Sequence, residues 1–147
     1  MLLNRNNLVW VGHRTGFAPD KGWQMPQGGI DDNENPEAAA RRELFEETSV
    51  QSLSLLYAHP YWINYDLPEH LLGKAFQGKY KGQKQLWFAY QFDGKEDQIN
   101  VLEPGDGDPS EFDDWKWVPT NELVELIVPF KRQLYTEVVA AFAHLQN

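Results

Sequence analysis

The stretch QGGIDDNENPEAAARRELFEETSV, residues 27 to 50, constrains this chain more than any other. Asn35 followed by Pro36 marks a helix start. Asn accepts hydrogen bonds from the unpaired N–H groups of the first turn, and Pro has no N–H to leave unpaired there. Ala38, Ala39, Ala40, Leu44 and Phe45 supply helix propensity and an apolar side, so the spacing predicts a helix that ends near Ser49. Glu43, Glu46 and Glu47 stand at i, i+3 and i+4 and therefore share one face. Three carboxylates on one face repel one another unless a cation offsets them. Oxygen ligands at this density suit Mg²⁺ or Mn²⁺. The competing reading is a solvated acidic face. Gly28 and Gly29 allow close backbone approach or positive φ, and a Glu34–Arg42 pair would tie the glycine loop to the helix.

The remaining composition narrows the classes. A length of 147 residues suits one domain with its own core. A net charge of −9 argues against non-specific nucleic-acid binding and against a DNA duplex as partner, because phosphate neutralisation supplies most of that affinity. With no Cys there is no disulfide, thiolate metal site or cysteine nucleophile. No apolar run approaches membrane-spanning length and no signal pattern opens the chain, so the expectation is a cytoplasmic protein without membrane contact. Oligomeric state is open. The four histidines, His13, His59, His70 and His144, show no common ligand spacing.

Along the chain, LLNRNNLVWVGHR reads as a hairpin whose first strand, Met1 to Leu3, looks truncated. WQMP, SLSLLYAHPYWINY, KQLWFAYQF and WKWV read as strand material, with Leu86, Phe88, Tyr90 and Phe92 on one side of the third. A short strand is expected at Ile99 to Leu102. TNELVEL reads as a Thr-capped short helix. A final helix follows Pro129, with Leu134, Val138, Phe142 and Leu145 at helical spacing. Strands and helices without regular βαβ alternation indicate an α+β chain, or a mixed sheet between helices.

Taken together, Gly28, five residues, Glu34, seven residues, Arg42-Glu43-Leu44, any residue, Glu46-Glu47, any residue, Ser49-Val50 resembles the Nudix box, G-x(5)-E-x(7)-R-E-U-x-E-E-x-G-U. Only the last Gly departs, being Ser49. By average residue frequencies so many matches at one start position arise roughly once in 10⁸. GWQMPQGGID, GQKQLWFAYQF, EFDDWKWVP and VPFKRQLY extend the resemblance to the bacterial RNA 5′-pyrophosphohydrolase and dinucleoside polyphosphate hydrolase branch, over nearly the whole chain. The resemblance implies a single Nudix domain over residues 1–147, an α/β/α sandwich with a mixed central sheet and a loop-helix-loop catalytic motif. Ser49 stands where the family's Gly easily takes a left-handed backbone. It is expected to be strained by about 1 kcal/mol, or to change how the helix ends.

The resemblance also implies roles. Glu43, Glu46 and Glu47 would be the main metal ligands, and Glu111 a further ligand or the general base. Backbone at Gly28 would add a ligand, and Arg42 belongs to the catalytic set with Glu46, Glu47 and Glu111. Read from spacing alone, Glu111 is ordinary surface acidity beside Asp113 and Asp114. Val128, Phe130 and Lys131 would contact a nucleobase or phosphate. The competing reading has Val128 and Phe130 anchoring the final helix. No Asp or Glu lies between Glu69 and Asp93, so Lys79, Lys81 and Lys84, with Lys74, form a basic island able to steer a phosphate chain. The implied reaction is Mg²⁺-dependent hydrolysis of 5′-triphosphorylated RNA to a 5′-monophosphate. The alternatives are hydrolysis of diadenosine tetra- or pentaphosphate, and a nucleotide-binding module without catalysis.

Overall fold

Strand β2 (Val9–Arg14) is the hub of the molecule. One of its edges carries β8 (Phe112–Val118), paired antiparallel from Val9↔Val118 to Arg14↔Phe112 with an irregularity at His13/Arg14. Its other edge is shared by β1 (Leu2–Leu3) at Val9 and β3 (Trp23–Gln24) at Gly12 and His13. The structure, a computed structural model, describes residues 1–69, 82–102 and 110–146. Within them β1 continues in parallel to β7 (Phe88–Phe92), and β7 pairs antiparallel with β4 (Leu53–Ala58). The sheet is therefore mixed. A separate ribbon pairs β5 (Ile63–Asp66) with β6 (Gly82–Gln85).

Side chains alternate across a strand, and the two cores follow that alternation. Leu3, Val9, Val11 and Ala89 face one core with Leu134, Tyr135 and Val138 of α3 (Arg132–Ala141), Phe142 at its C-cap, and Leu123 of α2 (Leu123–Leu126). Leu2, Trp10, Phe88, Tyr90 and Phe92 face the other, with Leu44 of α1 (Pro36–Thr48). Helices thus cover both faces of a mixed sheet, the α/β/α sandwich. Gly12 sets the fit beneath α1, because a Cβ there would stand 2.6 Å from the Phe112 ring and 2.7 Å from Trp10. Its absence lets Trp10 and Phe112 meet edge to face at 5.5 Å.

Helix α1 starts and stops as its sequence dictates. The Asn35 side chain accepts from the N–H groups of Glu37 and Ala38 at 2.9 and 3.2 Å. Ser49 ends the helix in the left-handed region, φ 66°, with its N–H donating to Phe45 O at 2.8 Å. The departure at Ser49 therefore leaves the left-handed turn in place, and its Oγ donates to Asn100 O at 3.3 Å.

Three expectations change. KQLWFAYQF is not one strand: Gln85 closes the ribbon and Phe88 opens β7. Between them Trp87 Nε1 donates to Gln85 Oε1, and Gln85 Nε2 to Gln27 Oε1. Ile99 to Leu102 forms no strand; Ile99 and Val101 are buried, yet Asn100 N–H is taken by Thr48 O. Thr120 caps nothing with its side chain, and a 3₁₀ turn, Thr120–Glu122, leads into α2.

Candidate functional site

The glycine loop and α1 touch at Gly28. A Cβ there would lie 1.9 Å from Glu43 Cδ, so glycine alone lets that carboxyl rest against the loop backbone. Of the two uses expected for the glycines, Gly28 serves close approach, not positive φ. Backbone N–H groups of Gly29 and Gln27 reach Glu43 and Glu47 respectively.

Arg42 binds this loop to the helix. Its Nε donates to Glu34 Oε2 at 2.8 Å, and its Nη2 donates to Glu34 Oε1 at 2.9 Å and to Gly29 O at 2.7 Å. Its Nη1 donates to Glu43 Oε1 at 3.0 Å and Glu46 Oε2 at 3.1 Å. One planar fork thus joins the loop to two of the three glutamates, which a lysine could not do. The Arg42 bond, helped by the Asp31 N–H, holds the Glu34 carboxyl down to about 2.

Glu47 is different. Its Oε2 is buried and has no hydrogen-bond partner among the described residues. Burial pushes its carboxyl up to about 9, and the charges of Glu43 and Glu111 push the same way. Burial raises Glu43 too, against the pull of Arg42. Among the described residues no three His, Asp or Glu side chains are spaced as a finished metal cage. The Arg42 guanidinium holds the oxygens of Glu43 and Glu46 that a cation would need. The donor set nevertheless fits a hard divalent ion: Glu47 carries a desolvated carboxylate oxygen with no partner among the described residues, and the charges of Glu43 and Glu111 act on it.

Glu111 comes to this cluster from the sheet. Phe112, 1% exposed, anchors the start of β8 and leaves Glu111 at the rim. Glu111 lies 3.9 Å from Arg14 Nη2, and its carbonyl accepts from Thr15 N–H at 3.1 Å. Arg14 was not singled out by its sequence. It ends β2, where pairing with β8 brings it beside Glu111, and its charge acts on both Glu47 and Lys131.

Lys131 is buried, and desolvation, with the charge of Arg14, pulls its amine down to about 8. Among the described residues no carboxylate pairs with it. Its Nζ instead stands 5.6 Å from the Tyr65 ring centroid and 5.9 Å from that of Phe130. Tyr65 and Phe130 face each other at 6.5 Å with a 39° tilt, half-buried. Tyr65 also escaped the sequence reading, since only the β5–β6 ribbon brings it across to Phe130. Val128 packs on the core beside α3, as its competing reading had it. Lys84 is separate from this group. With Gly28, Gly29 and Glu43 it lines a cavity of about 750 Å³, its Nζ 5.3 Å from the Trp62 ring. Lys79 and Lys81, like Lys74, lie outside the described residues.

Comparison with known proteins shows what the chain is similar to. The chain is 55% identical over 99% of its length to an RNA pyrophosphohydrolase of Mesorhizobium japonicum, covering 87% of that protein. It is 54% identical over 99% of its length to one of Rhizobium meliloti, covering 90%. Among solved structures it matches the E. coli dihydroneopterin triphosphate pyrophosphohydrolase at a TM-score of 0.68 and 21% identity, over 95% of this chain and 90% of that one. A C. elegans Ap4A hydrolase complex matches at a TM-score of 0.62 and 14% identity, over 97% and 95%. The family model of the NUDIX domain matches residues 1–138, and the chain belongs to the Nudix family.

Proposed function

We propose that this protein is a Mg²⁺-dependent hydrolase that converts the 5′-triphosphate end of RNA to a 5′-monophosphate and releases pyrophosphate. One observation carries the reading. A carboxylate cluster holding a buried oxygen lies across Arg14 from a buried Lys131 beside a pair of aromatic rings, and among the described residues neither that oxygen nor that amine has a polar partner. The first end suits metal and a phosphate chain; the second suits a nucleobase and its phosphate. The similarity to proteins named RNA pyrophosphohydrolases supports the same substrate class.

In this reading Glu43, Glu46 and Glu47 hold the metal, with Glu111 and the backbone at Gly28 as further ligands. Bound Mg²⁺ would supply charge neutralisation on phosphate oxygens and a lowered pKa for water. Glu46, Glu47 or Glu111 takes the proton from the attacking water. The water oxygen bonds to phosphorus, and the anhydride oxygen leaves with the pyrophosphate. Arg42 keeps the glutamates in place against their mutual repulsion. Lys131 and Phe130, with Val128 behind them, hold the nucleotide. Lys84, and with it Lys79 and Lys81, draws in the phosphate chain.

Hydrolysis of a dinucleoside polyphosphate is the second reading. The Tyr65–Phe130 ring pair supports it as much as the RNA reading, because that pair would accept one adenine of such a ligand equally well. Turnover of a 5′-triphosphorylated oligonucleotide against diadenosine pentaphosphate, at matched concentration, separates the two. Faster dinucleotide turnover rejects the RNA reading. Hydrolysis of neither leaves a nucleotide-binding module.

A further inference from the structure

Beyond Arg14 the site continues into the 15–22 loop. Phe17 there is 41% exposed, and its ring lies 5.8 Å from the Arg14 guanidinium carbon. The loop holds that partly exposed ring in place beside Arg14. Phe17 N–H donates to Arg14 O at 3.2 Å, Arg14 N–H to Gly22 O at 2.9 Å, and Lys21 N–H to Ala18 O at 2.9 Å. His13 Nε2 donates to Ala18 O at 2.8 Å while its Nδ1 meets Asp113 at 2.5 Å, which ties the loop to β8. Trp23 Nε1 donates to Pro19 O at 3.0 Å. Gly22 has φ +77°, and a Cβ there would stand 2.6 Å from the Phe17 ring. The ring is thus seated on a glycine that no other residue replaces without strain.

We propose that Phe17 is a stacking platform for the third nucleobase of the RNA, downstream of the one held at Tyr65 and Phe130 and absent from a dinucleotide. This rests on the RNA reading above. Arg14 stands between the two aromatic stations, acting on Lys131 on one side and lying against Phe17 on the other. A strand leaving the Tyr65–Phe130 pair therefore passes a cation able to meet its phosphodiester before it reaches Phe17. Every base has a π-face, so such a platform favours length of single-stranded RNA over sequence. A dinucleoside polyphosphate has no downstream nucleotide and gains nothing from it.

The test compares 5′-triphosphorylated RNAs of two and four nucleotides with wild-type protein, Phe17→Ala and Phe17→Trp. The wild type is expected to show the lower KM for the tetranucleotide. Phe17→Ala raises the tetranucleotide KM about tenfold with little change in kcat. It leaves the dinucleotide constants in place, which also shows that the variant folds. Phe17→Trp restores the length preference. A Phe17→Ala enzyme that keeps the preference, or that loses both substrates equally, overturns the platform. A wild type that cleaves diadenosine pentaphosphate and no RNA overturns the RNA reading itself, and the platform with it.

Discussion

Replacing Glu47 by Gln should stabilise the metal-free protein, by an amount that grows with pH. In the folded chain burial, with the charges of Glu43 and Glu111, pushes this carboxyl up to about 9 from its ordinary 4.5. Across that window the unfolded chain gives up the proton and the folded chain keeps it. Metal-free stability therefore falls as pH rises from 4.5 towards 9. At pH 7 the gap of 2.5 pH units above the ordinary value costs about 3 kcal/mol at 1.36 kcal/mol per unit. Gln cannot ionise, so this cost disappears in the variant, while every other titrating group is common to both proteins. Urea unfolding in the presence of chelator, at pH 5 and pH 7, reads the difference. The variant's advantage is expected to grow by about 2.5 kcal/mol between those two pH values. Saturating Mg²⁺ should reverse the order. At a thousand times Kd the wild type gains about 4.1 kcal/mol, more than the cost of about 3 kcal/mol, and the variant much less. A variant no more stable than wild type at pH 7 without metal would refute the reasoning.

Other residues give independent tests. Glu46→Gln should lower turnover by roughly 10²–10⁴-fold with an unchanged circular dichroism spectrum; retained turnover rejects its assigned role. Arg42→Lys keeps the charge but loses the fork, and should cost about 2 kcal/mol in denaturant unfolding together with most of the activity. Ser49→Gly should exceed Ser49→Ala in stability by about 1 kcal/mol, since Gly alone relaxes the left-handed turn; equal stabilities would count against strain at that position. His13 is held above the ordinary histidine pKa by the Ala18 carbonyl and then by Asp113. The stability it contributes is complete below the ordinary value near pH 6.5 and is lost as pH rises through the raised one. A His13→Gln variant should lose that pH dependence in thermal unfolding, and persistence of the slope would contradict the clamp.

The parts of the site carried by one contiguous segment were legible in the sequence. Asn35, Pro36, Arg42, Glu34 and the three glutamates lie within one loop and one helix, where spacing fixes faces. The first turn and the Glu34–Arg42 tie match that reading in detail. What the sequence did not reveal depends on strand register. Arg14 reaches Glu111 only because β2 and β8 pair with an irregularity at His13/Arg14. Tyr65 meets Phe130 only because the β5–β6 ribbon folds over the start of α3. An isolated Arg or Tyr in a strand carries no signal of such partners. The broken strand at Gln85 to Trp87 and the missing one at Ile99 to Leu102 share a cause: apolar alternation reports burial, while backbone pairing depends on what lies alongside. Ser49 shows the converse. The turn geometry survived a residue poorly suited to it, because tertiary contacts at Thr48, Ser49 and Asn100 fix the end of the helix.

In the proposed reading the site has two ends joined by Arg14, an acidic end that would take a cation and an aromatic end whose Lys131 no carboxylate pairs among the described residues. The most direct test of that account is to incubate the protein with a 5′-triphosphorylated oligoribonucleotide, with Mg²⁺ and with chelator, and to quantify 5′-monophosphate ends and pyrophosphate together. The account predicts equal yields of the two products, dependent on Mg²⁺ and faster than turnover of diadenosine pentaphosphate. Turnover that persists in chelator, or no conversion of the RNA end, would contradict it.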